Sequence, residues 1–214
     1  SYKAGRNAVL GGIDFLNQDP DRLLEMRLNF YLRGLNKTED PKAENELVGP
    51  NGEIVGRVKN GRPKFFPDYY VIPMSLDKDN DAQEAFNMID YFKRNGVLVK
   101  ELKEDIGNYK KGDLVIDMAQ AKRGYANHIL YKGSNESAWA AMYAELLVNF
   151  PDMRGFKSEP VFADGLFNGK LGEVTTTRAT RTSEIDPKAP YYVIANTSAS
   201  AVKAVNQAIA QGKS

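Results

Sequence analysis

The prediction of the fold begins with residues 69–96, which read YYVIPMSLDKDNDAQEAFNMIDYFKRNG. The opening Tyr-Tyr-Val-Ile is an unbroken run of β-forming residues, typical of a strand that is buried on both faces, and Pro73 ends it. After Asp81 and Glu84, which together match a capping box, apolar residues recur at helical spacing. Gly96 can adopt the left-handed conformation that stops a helix. The stretch therefore predicts a strand, a loop and a helix, the repeating unit of an α/β sheet.

Further downstream, similar units follow: strand 97–102, strand 112–118 with helix 124–131, and strand 191–194 with a helix that ends at Gly212. Residues 191–194 repeat the Tyr-Tyr-Val-Ile of residues 69–72, which indicates two equivalent strands of one sheet. Because strands that alternate with helices usually pair through right-handed crossovers, we expect a mostly parallel, doubly wound α/β sheet. A helix ending at Gly212 in such a sheet usually returns to another strand, so the natural chain is expected to continue past Ser214.

Composition and turn residues divide the chain into three predicted regions. Residues 1–36 are predicted to form a helical hairpin leading from a preceding domain, in which Asp19-Pro20 starts the second helix. Residues 37–68 are polar and rich in turn residues, and are predicted to be a loop or β-ribbon insertion, either a plain surface insertion or a mobile flap. Residues 69–214 are the predicted sheet domain.

Apolar stripes mark the faces that the helices must bury. Such stripes lie on the first helix of the hairpin (Val9, Ile13, Leu16), on the second (Leu24, Leu28, Tyr31, Leu32, Leu35) and along residues 139–150. The last of these is predicted to be core. The stripes of the hairpin need a partner, which is either the sheet or a preceding domain.

Composition also limits the classes of function that are open to the chain. Its 214 residues carry a net charge of +1, which gives no electrostatic footprint for nucleic acid or an anionic membrane. No apolar run approaches the roughly 20 residues that span a bilayer. The absence of cysteine removes disulfides, thiolate metal sites and thiol nucleophiles. A cysteine-free chain fits an exported bacterial protein, so an extracytoplasmic location is expected.

The usual catalytic constellations are missing from the sequence. A catalytic zinc site takes three protein ligands, mostly histidine, and His128 is the single histidine of this chain. A Ser-His-Asp triad would need the same residue, and no Gly-x-Ser-x-Gly elbow is present. Residues 77–88 begin with alternating aspartates, as a calcium loop does, but lack its glycine at the sixth position and its glutamate at the twelfth. No residue is therefore predicted to be catalytic or to bind a metal.

Polar residues in two strand-to-helix loops remain as candidates for binding. Gln120 and Arg123 follow the strand at 112–118, and Asn196 and Ser198 follow the strand at 191–194. In a doubly wound sheet, ligands bind beyond the carboxyl ends of the strands. These residues either line a polar pocket for a carboxylate or sugar-like ligand, or satisfy loop backbone with Arg123 in solvent.

Several motifs occur in an order that gives the chain a family resemblance. They are Tyr-Tyr-Val-Ile-Pro (69–73), Asn-Gly-Val (95–97), Gly-Asp-Leu-Val-Ile-Asp-Met-Ala-Gln (112–120) with Arg123-Gly124, Tyr-Val-Ile followed by Lys-Ala-Val-Asn (203–206), and Tyr-Leu-Arg-Gly (31–34). From residue 20 onward, the chain resembles the region that follows the catalytic domain in large bacterial zinc carboxypeptidases of the carboxypeptidase A superfamily.

The resemblance implies both a fold and a function. In that family this region is similar to a class I glutamine amidotransferase-like, flavodoxin-like α/β domain, although the amidotransferase cysteine has no counterpart here. The resemblance places the zinc in the catalytic domain of the parent polypeptide, so no cofactor is expected in this chain. It implies a non-catalytic domain that packs on that catalytic domain and shapes the access of the peptide substrate. The alternative is a small-molecule or solute-binding α/β module without catalysis.

Overall fold

The computed structural model describes residues 2–39, 63–74, 81–132, 150–175, 186–194, 196 and 198–213. The helices of this part are α1 (Tyr2–Gln18), α2 (Pro20–Leu35), α3 (Ala82–Arg94), α4 (Arg123–Leu130), α5 (Phe150–Arg154) and α6 (Ala199–Ala210). The strands are β1 (Tyr69–Ile72), β2 (Lys100–Leu102), β3 (Leu114–Asp117), β4 (Glu159–Val161) and β5 (Leu171–Gly172). Residues 40–62 of the predicted insertion and 139–149 of the predicted core helix lie outside the described residues.

The five strands form one sheet in the order β4-β1-β3-β2-β5, and all four neighbouring pairs are antiparallel. In its centre, Tyr70 of β1 lies opposite Ile116 of β3 on one side and Pro160 of β4 on the other. The prediction of a mostly parallel, doubly wound sheet is therefore wrong, and with it the amidotransferase-like architecture.

The length of one connection explains the error. A parallel pair needs a crossover of a dozen or more residues, usually a helix, whereas a short return makes a hairpin. The connection between β2 and β3, residues 103–113, contains no helix and folds on itself through a bridge between Ile106 and Tyr109. An unbroken apolar run such as β1 does not reveal strand direction, because any strand buried on both faces has one.

The second Tyr-Tyr-Val-Ile segment is not a strand. Residues 191–194 pair with no other strand among the described residues, and Tyr191 is 76% exposed. Its counterpart Tyr69 is 1% exposed, since β1 has a neighbouring strand on each side. Strand formation depends on such neighbours more than on the residues themselves. The predicted equivalence of the two segments is therefore wrong.

The sheet buries both of its faces. On one face, Tyr70, Ile72, Leu114, Ile116 and Met118 pack with side chains of α3 and α4 and with Phe156. On the other, Tyr69, Val71, Leu102, Val115 and Val161 pack around Phe167, which lies between β4 and β5. The molecule thus has helices on one side of the sheet and irregular segments on the other.

The predicted helix boundaries are largely confirmed. Asp81 caps α3 by accepting hydrogen bonds from the backbone N–H groups of Gln83 and Glu84 at 2.9 and 3.2 Å. The reciprocal bond of a capping box is replaced, because the Asp81 N–H donates to the Gly155 carbonyl at 2.8 Å. At the other end Gly96 has φ +74°, as a left-handed helix stop requires. The predicted cap Asp19 also accepts a hydrogen bond from the first turn of α2, and Ser198 accepts one from the first turn of α6.

Candidate functional site

Gln120 is a buried side chain whose amide is occupied by backbone. Its Oε1 accepts a hydrogen bond from the Leu98 N–H at 2.9 Å, and its Nε2 donates to the Asp117 carbonyl at 2.6 Å. These bonds tie the end of β3 to the segment that enters β2. The side chain is thus positioned to hold the loop rather than to meet a ligand.

Arg123 is also buried, and it joins three segments. Its Nη2 donates to the Thr38 carbonyl at 2.8 Å, and its guanidinium lies 4.2 Å from the centre of the Phe66 ring. Both are contacts that a buried guanidinium commonly makes. The alternative predicted from the sequence, that Arg123 lies in solvent rather than in a binding pocket, is wrong.

Asn196 and Ser198 lie in a different part of the molecule. The Ser198 Oγ accepts from the Ala201 N–H at 3.3 Å and caps α6. Asn196 is exposed and lines a cleft of about 370 Å³. The other lining residues of this cleft are Lys132, Pro151, Asp152, Gly155, Phe156 and Lys157. Arg123 begins α4, whereas Lys132, which lines the cleft together with Asn196, follows the end of that helix, so the two predicted groups lie toward opposite ends of α4. They do not form one pocket.

A charged cluster that carries no sequence motif lies beside the end of α2. We call Lys37, Lys64, Asp68, Tyr69 and Asp164 the Lys37 cluster. The nearly buried Asp68 carboxylate lies 2.6 Å from the Lys64 Nζ and 3.9 Å from the Lys37 Nζ. The Lys37 Nζ also donates to the Asp164 Oδ1 at 2.6 Å and lies 5.1 Å from the Tyr69 ring centre. Its members are separated by up to 127 positions, which is why sequence patterns did not reveal it.

The protonation of this cluster favours an electrostatic tie over acid–base chemistry. Burial acts to lower the pKa of Lys37, but the Asp164 hydrogen bond and the charges of Asp117 and Asp164 outweigh it and raise that pKa. Burial, followed by the Asp117 charge, raises the pKa of Tyr69. The Lys37 hydrogen bond lowers the pKa of Asp164. At neutral pH the lysine is a cation, the tyrosine is neutral and Asp164 is an anion, so neither Lys37 nor Tyr69 is poised as a base or nucleophile.

Helices α1 and α2, which are joined by Asp19 alone and which we call the hairpin, expose most of their apolar side chains. No residue of α1 is buried, and Gly34 is the one buried residue of α2. We call the exposed aliphatic residues at helical spacing the hairpin stripes: Val9, Ile13 and Leu16 on α1, and Leu24, Leu28, Leu32 and Leu35 on α2. Their exposure ranges from 46% to 64%, which amounts to apolar surface on the order of 500 Å². An exposed apolar surface of a few hundred Å² is often functional where its residues are contiguous.

The hairpin is attached to the sheet domain by the last turns of α2. A Cβ on Gly34 would lie 2.5 Å from the Gln120 carbonyl oxygen, so this close approach requires glycine. One turn earlier, the Phe30 ring lies against Gly124 at the start of α4. The hairpin therefore has a packed root, while its stripes remain uncovered.

Two findings complete the description of these surfaces. Among the described residues, no three side chains of the His, Asp or Glu type converge as metal ligands. In the same part of the chain, no helix is long and apolar enough to cross a bilayer.

Comparison of the chain with protein-family models, with curated proteins and with solved structures finds no match.

Proposed function

We propose that this chain is a non-catalytic docking domain, and that its partner is a zinc carboxypeptidase catalytic domain of the same polypeptide. The observation that carries the proposal is the contrast within the hairpin, whose root is packed while its stripes are uncovered. An apolar surface that is exposed while its base is packed favours binding to another protein domain. The partner's class comes from the motif resemblance alone.

The size of the stripes is sufficient for a stable intramolecular contact. At about 25 cal/mol per Å², covering on the order of 500 Å² of apolar surface contributes roughly 12 kcal/mol before any cost of association. Two free proteins lose about 4–15 kcal/mol in translational and rotational freedom on association. A tethered domain avoids much of that loss, because docking is then intramolecular. The surface therefore suits a domain on the same chain better than a freely diffusing protein.

The described residues also favour a supporting role over a reactive one. Gln120 and Arg123 are engaged by the protein's own backbone, and Lys37 and Tyr69 are protonated at neutral pH. Within the proposal, the hairpin binds the catalytic domain, and the sheet domain lies beside it, where it shapes the access of the peptide substrate. The proposal does not depend on an amidotransferase-like fold.

Site-specific photocrosslinking in the native cell tests the proposal. A photoreactive amino acid at Leu28 places the probe on an exposed stripe, and the same probe at Arg22 lies about 120° around α2 as a matched control. We expect the Leu28 probe to crosslink to a carboxypeptidase-type zinc domain and the Arg22 probe to give much less product. Crosslinks to another class of protein, equal yields from both positions, or no crosslink would overturn the proposal.

The non-catalytic role has its own test on the purified chain. We expect substoichiometric zinc after dialysis and no release of C-terminal residues from peptides. Stoichiometric zinc together with such hydrolysis would show that the reactive centre lies in this chain.

A second candidate function, binding of a small carboxylate, is favoured by the cleft at Asn196. The lining of this cleft includes the Asn196 amide, Lys132 and Lys157 together with the buried Phe156, and it also includes one carboxylate, that of Asp152. Ammonium and amide N–H groups are suitable donors to a carboxylate. A thermal-shift series with butyrate and matched butyramide tests it, since a ligand at 100 times its dissociation constant adds about 2.7 kcal/mol of stability. A shift with butyrate alone that Asn196→Ala removes would support this function, and equal behaviour of the two compounds would reject it.

A further inference from the structure

We infer that Lys37 is a positioning residue that fixes the direction of the hairpin relative to the sheet domain. The biological role of a fixed hairpin direction rests on the proposed docking function. That Lys37 fixes this direction is inferred from the contacts around the root of the hairpin, and it can be tested without any partner.

The backbone at Lys37 turns the chain sharply at the end of α2. Lys37 has φ +49°, and within the described residues it is the one non-glycine residue with positive φ. Its N–H donates to the Gly34 carbonyl at 3.2 Å, and the Thr38 N–H donates to the Arg33 carbonyl at 2.9 Å. Glycine adopts this left-handed conformation more readily than lysine does. A lysine at this position therefore points to a requirement for its side chain.

Two segments of the sheet domain hold the root of the hairpin. The segment 119–123 contacts it, since the Gln120 backbone packs against Gly34 and Arg123 donates to the Thr38 carbonyl. The segment between β4 and β5 contacts it through Asp164, which accepts a hydrogen bond from the Lys37 Nζ at 2.6 Å. We expect the second attachment to limit rotation of α2 about its contact at Gly34.

Lys64 offers a matched comparison within the same cluster. Lys64 and Lys37 both approach the buried Asp68 carboxylate, at 2.6 and 3.9 Å. Loss of Lys37 therefore leaves Asp68 with its closer cation, so the variant does not create an uncompensated buried charge. Lys64 lies in the segment before β1 and belongs to neither helix of the hairpin. Removing Lys64 alters the same charge cluster without removing the tie from the hairpin to Asp164.

The absence of cysteine makes a distance measurement straightforward. We would introduce Glu25→Cys on α2 and Lys111→Cys on the sheet domain, both at exposed positions, and measure the distance between attached spin labels by pulsed electron resonance. In the otherwise unchanged chain and in Lys64→Met, we expect one narrow distance distribution. In Lys37→Met we expect that narrow distribution to be lost, and in Lys37→Arg we expect it to be retained.

Asp164→Asn is the second variant, because it weakens the same tie from an exposed residue of the sheet domain. We expect it to broaden the distribution as Lys37→Met does. An unchanged narrow distribution in both variants, or equal broadening in Lys64→Met, would overturn the inference. Broadening in Lys37→Met and Asp164→Asn, combined with failed crosslinking to a carboxypeptidase domain, would keep the positioning role and reject the docking function.

Discussion

Helices α2 and α3 have similar amphipathic sequences, but the apolar stripe of α3 is buried and that of α2 is largely exposed. The apolar stripe of α3 contains Ala85, Met88, Ile89 and Phe92, all buried against the sheet. The stripe of α2 contains Leu24, Leu28, Leu32 and Leu35, each 49% or more exposed. Periodicity therefore indicates which face of a helix is apolar, but the partner that covers this face is decided elsewhere in the chain or in another domain.

The difference follows from what lies next to each helix. The start of α3 is fastened by the Asp81 N–H to the Gly155 carbonyl, and its end leads directly toward β2, so its stripe must face the sheet. Helix α2 touches the sheet domain at its last turns, where Gly34 is the one buried residue of the helix. One helix thus belongs to the core, whereas most of the other is exposed.

Among the proposed variants, truncation of a large side chain on each stripe is expected to give the largest difference in the free energy of unfolding. Phe92→Ala removes a fully buried ring and should lower the free energy of unfolding by about 3–5 kcal/mol. Leu28→Ala removes a side chain that is 62% exposed and should change it by no more than about 0.5 kcal/mol. Urea unfolding of the two variants checks the pair, and a Leu28 loss as large as that of Phe92 would mean that the hairpin stripe is core.

The glycines of the two hairpin helices provide the next contrast. Gly34→Ala forces a methyl group against the Gln120 carbonyl and should destabilise the domain by about 1–3 kcal/mol. Gly11→Ala meets open space in the middle of α1 and should stabilise that helix by up to about 1 kcal/mol. Thermal unfolding followed by circular dichroism measures both changes. Equal effects of the two substitutions would mean that the root of the hairpin is not packed as described.

Local signals in the sequence located helices α1 to α4 and α6, but they identified neither α5 nor the assembly of the sheet. The caps Asp19 and Asp81 act over one turn, so residue identity alone could locate them. Strand direction could not be read from Tyr-Tyr-Val-Ile, since the same four residues form a central strand at 69–72 and an exposed segment at 191–194. Long-range pairing decides between these outcomes, and a tetrapeptide does not encode it.

The candidate site was harder to predict for the same reason. Gln120 and Arg123 were predicted as candidate binding residues of a strand-to-helix loop, but their hydrogen-bond partners Leu98 and Thr38 come from distant segments. The Lys37–Asp164 pair joins residues 127 positions apart and has no motif at all. Interactions of this kind become visible only when the chain is folded.

Removal of the N-terminal caps of α2 and α3 should also distinguish the two helices, with smaller changes in stability than those above. Asp81→Ala removes two hydrogen bonds from a helix of the core and should cost about 1 kcal/mol of global stability. Asp19→Ala removes one bond, from the Arg22 N–H at 3.0 Å, and should act on the hairpin alone. Hydrogen exchange resolves the two effects. We expect faster exchange confined to α2 in Asp19→Ala and spread across the sheet in Asp81→Ala.

The smallest expected effect is the response of the hairpin root to acid. Because its hydrogen bond to Lys37 lowers the pKa of Asp164 in the folded chain, Asp164 stabilises the fold above its ordinary pKa of 3.8. That contribution is lost as the pH falls through the lowered value. The stability difference between the unchanged chain and Asp164→Asn should therefore be constant from about pH 8 to pH 5 and shrink below about pH 4. Urea unfolding across this range measures it, with Asp105→Asn as the matched control, because the backbone N–H of Lys111 and then the side chain of Lys110 lower the pKa of Asp105, and neither residue belongs to the hairpin. The spin-label distance should broaden over the same acid range, and broadening that begins near neutral pH would show that a group other than Asp164 holds the hairpin.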